Sequence, residues 1–276
     1  MQKGMFRMRR VRLSAMIGSI VLSAAVAFTG PLSVYAQELP PHLIQTVTDR
    51  DIYEGMLELG FLETPVLETP NCDQAYENVK NCVVRVQMGN AHGSGIIWEM
   101  TPEEIVIVTN KHVLDYWNEK NSYVHFLRGY DVDAKILGIS ERYDIGFLSV
   151  DSRQFTCDEL KELRSARVDL DVYVELKQGD IMFSVDSGSV TEPERYFEGT
   201  VENTHLYIEY FEAYMLYGHG FAKAGMSGGG TFDGRGFLIG MTTGGTEQNE
   251  TAGVPLPAII EAYEEIVKGT VFSDYR

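Results

Sequence analysis

Between residues 82 and 150 the chain strings together six short runs rich in valine, isoleucine and aromatic residues, at 82–88, 93–98, 104–109, 122–127, 132–140 and 145–150, with turn residues between them. Strands that crowded predict an antiparallel closed barrel rather than βαβ units. An interruption follows. Thr156 with Glu159 three residues on is a capping box leading into Leu160 and Leu163, so a linker helix or turn is expected within about 151–170. Strand-like runs resume at 171–176, 180–185, 196–201, 206–211, 237–242 and near Gly253. The economical reading is all-β: two six-stranded antiparallel barrels. Residues 257–268 then repeat Ile259, Ile260, Tyr263, Ile266 and Val267 at helical spacing, behind Pro257 and ahead of Gly269, which predicts a C-terminal helix on the second barrel.

Ahead of the strands lie three segments. Residues 1–12 carry Lys3, Arg7, Arg9, Arg10 and Arg12 with no acid, an apolar run spans 13–28, and Val34-Tyr35-Ala36 offers a cleavage site. That is a secretory signal, and the apolar run is shorter than the roughly 20 residues of a spanning helix. Cleavage after Ala36 is expected, which makes the protein secreted or cell-surface; membrane association follows only if the segment stays uncleaved. Its removal takes five positive charges and moves the formal charge from −17 to −22. Such a surface repels phosphate backbones, so nucleic acid is not an expected partner. Residues 37–72 read as an extended lead-in with a short helix near 51–59, and a helix at 73–80 opens the domain running to 276. Were that helix to form, it would hold Cys72 and Cys82 further apart than the roughly 7 Å limit for a disulfide, so free thiols are expected.

Ala224-Gly225-Met226-Ser227-Gly228-Gly229-Gly230 is where chemistry is most legible. A serine hydroxyl attacks a carbonyl only with a base beside it and N–H donors aimed at the oxyanion, which a tight glycine turn supplies. His112 follows the apolar run Ile105-Val106-Ile107-Val108, and Asp144 immediately precedes Ile145. A histidine just beyond a buried strand suits a general base, and an aspartate there suits the acceptor for its second ring proton. Each alone is more often structural. Together they place His112 and Asp144 on the first barrel and Ser227 on the second.

This order resembles the trypsin-like serine peptidases, and most closely their bacterial HtrA/Deg-type branch. Gly93-Ser94-Gly95, Thr109-Asn110-Lys111-His112-Val113, residues 143–150, Gln178-Gly179-Asp180-Ile181 and Gly253-Val254-Pro255-Leu256-Pro257 carry the likeness, which covers about 73–268. The resemblance implies a chymotrypsin-like fold and a Ser-His-Asp endopeptidase acting on protein or peptide substrates without metal or organic cofactor. It implies His112, Asp144 and Ser227 as triad, and the amides of Gly225 and Ser227 as oxyanion hole. Phe221 would stand near the base of the primary pocket, and Thr242, Thr243, Gly244 and Gly245 along its wall. With no acid there, small or medium apolar side chains are the expected preference. Thr243 matches the position that hydrogen-bonds the triad aspartate. The sequence departs from the family where Met226 replaces Asn or Asp and Gly230 replaces Pro, and it has no Ile-Val-Gly-Gly activation segment and no PDZ domain before Arg276. A catalytically inactive trypsin-fold binding module at the cell surface is the alternative reading.

Other patterns fail on spacing. Gly218-His219-Gly220 is followed next by Gly225, not by the third glycine of a dinucleotide loop, and Lys135 and Ile136 spoil a calcium loop begun by Asp131 and Asp133. The remaining histidines make no metal-ligand spacing.

Overall fold

A computed structural model describes residues 47–126, 129–188 and 196–269; the basic and apolar segment at 1–36 lies outside them. In the first half, β1 (Val83–Met88), β2 (Ala91–Met100), β3 (Glu104–Thr109), β4 (Ser122–Phe126), β5 (Tyr130–Val132), β6 (Lys135–Ile139) and β7 (Gly146–Asp151) form an antiparallel sheet ordered β5-β4-β1-β2-β3-β7-β6. Its core is the apolar residues that marked the strands: Val84, Val86, Ile96, Ile105, Ile107, Phe147 and Leu148 are essentially inaccessible. Seven strands stand where six were expected. The Gln154 side chain takes both the N–H of Asp133 (2.9 Å) and its carbonyl (2.8 Å), which breaks the run at 132–140 in two. The sheet curls into a half-barrel whose pairing ends at β5 and β6.

β8 (Ile181–Val185), β9 (Phe197–Ile208), β10 (Ala213–His219), β11 (Gly230–Asp233), β12 (Leu238–Gly245) and β13 (Glu250–Pro255) close a second barrel in the order β10-β13-β12-β11-β8-β9. The six strands are not the six expected. Residues 170–175 are helical, because Asp169 caps the N–H groups of Asp171 and Val172 and only Tyr173 is buried. The runs at 196–201 and 206–211 are mostly one strand, β9, whose polar centre at Glu202–His205 is no break: half of this long hairpin stands clear of the core and needs no apolar alternation. β10 and β11 escaped notice, the latter inside the glycine-rich stretch.

Helix α1 (Asp49–Glu58) starts at a Thr48–Asp51 capping box and drives Tyr53 into the core, its hydroxyl on the Thr101 carbonyl (3.2 Å). The chain then pairs with the linker, Thr64 N–H to the Ser165 carbonyl at 2.9 Å, and with the β11–β12 turn, Leu67 N–H to Arg235 at 2.9 Å and Asn71 N–H to Gly234 at 2.7 Å. Of the stretch read as a lead-in, the described residues 47–71 are thus a strap across both halves. Helix α2 (Cys72–Val79) and the capping-box helix α3 of the linker (Cys157–Leu160) follow expectation. The C-terminal helix α4 (Leu256–Ile266) does not serve the second barrel alone: Tyr263 packs on Trp98 and Phe147 of the first sheet at 5.6 and 5.7 Å, while Leu256 and Ile260 join the second barrel's core. Among the described residues no helix is long and apolar enough to cross a membrane.

The three cysteines are free. Burial raises the Cys72 thiol to about 11 and pushes Cys82 further still, so neither forms thiolate readily. Only Cys157 is partly exposed. Reaction with a thiol reagent at neutral pH should therefore consume one equivalent in native protein and three after denaturation; two fast-reacting native thiols would contradict this packing.

Candidate active site

β3 ends at Thr109, and a single helical turn, Lys111–Leu114, swings His112 out of the sheet into a cleft. Asp144 sits in the turn before β7, where the Ser140 hydroxyl accepts the N–H groups of Arg142 and Tyr143 (3.2 and 3.1 Å). The carboxylate grips His112 twice: Oδ1 accepts its backbone N–H at 2.9 Å and Oδ2 meets ring Nδ1 at 2.7 Å. Two bonds from one carboxylate fix the ring's position and favour the tautomer with Nδ1 protonated, leaving Nε2 as acceptor. Buried Asn110 braces the pair, donating to the Asp144 carbonyl (3.0 Å) and to the Thr243 hydroxyl (3.2 Å). Thr243 thus reaches Asp144 through Asn110 rather than directly.

The serine stretch folds as two turns sharing Met226. Met226 N–H bonds the Lys223 carbonyl (3.1 Å) with Gly225 third at φ +94°, and Gly229 N–H bonds the Met226 carbonyl (2.8 Å) with Gly228 third at φ +88°. A positive φ at the third position is the type II pattern, which glycine adopts without strain. Space demands glycine too. A Cβ on Gly228 would lie 2.1 Å from the Ser94 carbonyl oxygen, and one on Gly225 2.7 Å from His92 Nε2.

Both departures from the family pattern have a local reason. Met226 is 1% exposed and its sulfur accepts the Lys223 N–H (3.2 Å), so it closes the first turn from both ends. A Cβ on Gly230 would collide with the Phe232 ring at 2.4 Å, a ring that fills the barrel against Phe183. Ser227 lies second in the second turn, partly exposed, its hydroxyl donating to the Thr243 carbonyl at 3.2 Å. Among the described residues the N–H groups of Gly225 and Ser227 have no acceptor.

Ser94, quoted above only as part of a motif, holds this loop. It is fully buried; its N–H donates to the Ser227 carbonyl (2.8 Å), its hydroxyl donates to the Gly225 carbonyl (2.7 Å) and accepts the Ser187 N–H (2.8 Å). Nothing in its glycine-flanked position in β2 signals this, because the partners come from residues more than ninety positions away. Thr243, Gly244 and Gly245 line the cleft with His112 and Asp144, whereas Thr242 is buried within the barrel. Phe221 does not line this cleft; it is 42% exposed and packs tilted against Phe197 at 4.9 Å.

The sequence pattern of the family described as "Trypsin-like peptidase domain" matches residues 93–241, more than half of the chain. No curated protein matches it. Among solved structures, the HtrA-type protease AlgW, solved with a tripeptide, superposes with a TM-score of 0.60 at 17% identity, over 72% of this chain and 64% of that one. The likeness establishes the shared chymotrypsin-like fold, and this chain spans 64% of that protease's length. On the extent of the sequence match and the fold that carries it, the chain belongs to the trypsin-like peptidase domain family.

Proposed function

We propose that the protein is an exported serine endopeptidase. Ser227 attacks the scissile carbonyl while His112 Nε2 takes its proton, and His112 later returns that proton to the leaving amine. Asp144 orients His112 and stabilises the imidazolium. The N–H groups of Gly225 and Ser227 receive the tetrahedral oxyanion, and acyl-enzyme hydrolysis restores the serine. The observation that carries this reading is the double grip of Asp144 on His112, tied through Asn110 and Thr243 to a serine turn with two unengaged N–H groups. The tripeptide of the HtrA-type neighbour supports a peptide substrate, and the basic and apolar N-terminal segment supports export. The chemistry is complete with side chains and backbone, calling for no metal or organic cofactor.

One observation favours a second reading, an inactive binding module: the Ser227 hydroxyl rests on the Thr243 carbonyl, so attack requires it to rotate towards His112. Labelling with a fluorophosphonate separates the two. The wild type should label and Ser227→Ala should not; equal labelling of both, or of neither, would sink the nucleophile assignment.

A further inference from the structure

The cleft beside His112 has a volume of about 1150 Å³, and its far wall is the projecting end of the β9–β10 hairpin. Among the described residues five tyrosines line it and three of them are largely exposed: Tyr207, Tyr210 and Tyr214 are 53, 88 and 52% exposed. They are not loose. Tyr214 carries His205 stacked flat on one face at 4.1 Å and meets Tyr207 in a T-shaped contact at 5.3 Å, while Tyr210 stands edge-on to its chain neighbour Phe211 at 5.0 Å. Phe211 in turn lies over the β12 backbone, 3.4 Å from where a Cβ on Gly244 would be, next to Thr243.

The charges of the wall are lopsided. Glu250 is kept ionised by hydrogen bonds from the Tyr217 hydroxyl (2.6 Å) and the Thr246 hydroxyl (3.1 Å), which lower its pKa. Glu209 has no ion pair among the described residues. Arg142 is the lone lysine or arginine among the described lining residues; it is engaged by Glu261 and lies over the Tyr143 ring at 5.3 Å. Asp144 is engaged by His112. What remains among the described lining residues is a set of exposed ring faces with two carboxylates and no unpaired lysine or arginine to answer them.

We infer that this cleft is a specificity subsite, distinct from the pocket at the scissile residue, and that it takes a lysine or arginine side chain of an extended polypeptide substrate. The long aliphatic stem covers the apolar floor while the cationic head meets tyrosine faces and the carboxylates of Glu209 and Glu250. An apolar side chain of equal length gains only the floor, and an acidic one meets like charge. This rests on the peptidase reading above.

The test is binding to full-length Ser227→Ala, which needs no turnover. The probes are fluorescein-labelled decapeptides of alternating glycine with lysine, norleucine or glutamate, read by anisotropy. The lysine peptide should bind at least about tenfold tighter than the norleucine peptide, with the glutamate peptide weakest. Tyr210→Ala and Glu209→Gln should each cut the lysine preference several-fold, while Glu58→Gln, an equal charge change on an exposed residue outside the cleft, should leave it. Equal or better binding of norleucine would overturn the inference. So would an equal loss in Glu58→Gln and Glu209→Gln, the mark of diffuse attraction to an acidic protein, or no binding at millimolar peptide. Fluorophosphonate labelling of wild type keeps the two readings apart: labelling with no lysine preference sinks the subsite alone, and a lysine preference without labelling sinks the chemistry alone.

Discussion

His112→Ala should lower kcat/KM on an unfolded protein substrate by about 10⁵-fold or more, with the folded structure intact. The side chain is half-exposed and its bonds run to Asp144, so its loss opens no core cavity and leaves Asp144 accessible to water. Ser227→Ala should do the same, and the double variant should be little worse than either single one, because base and nucleophile act in one step. Asp144→Asn separates positioning from charge. An amide opposite Nδ1 presents N–H₂ where the ring N–H must donate, favouring the wrong tautomer; the loss expected is about 10⁴-fold. Steady-state kinetics on casein, with thermal melts of each variant, are the measurement. Undiminished cleavage by His112→Ala would remove the triad assignment.

Ser94→Ala should lower kcat by about 10²-fold while KM moves little. The serine touches no substrate; it is a positioning residue for the turn that presents the Gly225 and Ser227 amides. Without the hydroxyl the Gly225 carbonyl loses its 2.7 Å donor and the Ser187 N–H its 2.8 Å acceptor, both in a buried setting. Losing such a buried bond costs about 1–3 kcal/mol, and the turn relieves it by shifting at Gly225, carrying the Gly225 and Ser227 amides with it. A merely structural role would lower stability and leave kcat per folded molecule unchanged. The discriminating readout is a peptide boronate, which mimics the tetrahedral adduct. Its affinity should fall in parallel with kcat/KM, whereas binding of an uncleaved peptide should not. Equal loss of both would return Ser94 to a packing role.

Both experiments act on residues whose legibility in the sequence differs for a physical reason. His112 and Asp144 each sit at the edge of a strongly apolar run, so burial of the run fixes where the polar residue emerges, and Ser227 is marked by the glycines around it. Ser94 looks like one more small residue in a strand; its role exists only because the Gly225 turn and Ser187 fold against it. The second barrel makes the same point through errors that cancel. Six strands were expected and six are present, but one expected strand is a helix capped by Asp169, two are largely a single hairpin arm, and two real strands were missed. Periodicity reports burial, and it is silent where a hairpin projects into solvent or where glycines form a strand.

Sequence alone determined the class of fold, the linker with its capping box and the terminal helix, and it singled out His112, Asp144 and Ser227, since each depends on local patterning within a few residues. Tertiary structure decided the rest. It split the strand at Asp133 through Gln154, turned residues 47–71 into a strap across both halves, seated Tyr263 on the first sheet, and packed Phe221 against Phe197. It also decided that Met226, an oddity in the serine stretch, is the buried pivot shared by two turns. Such contacts join positions far apart in the chain, and no local period encodes them.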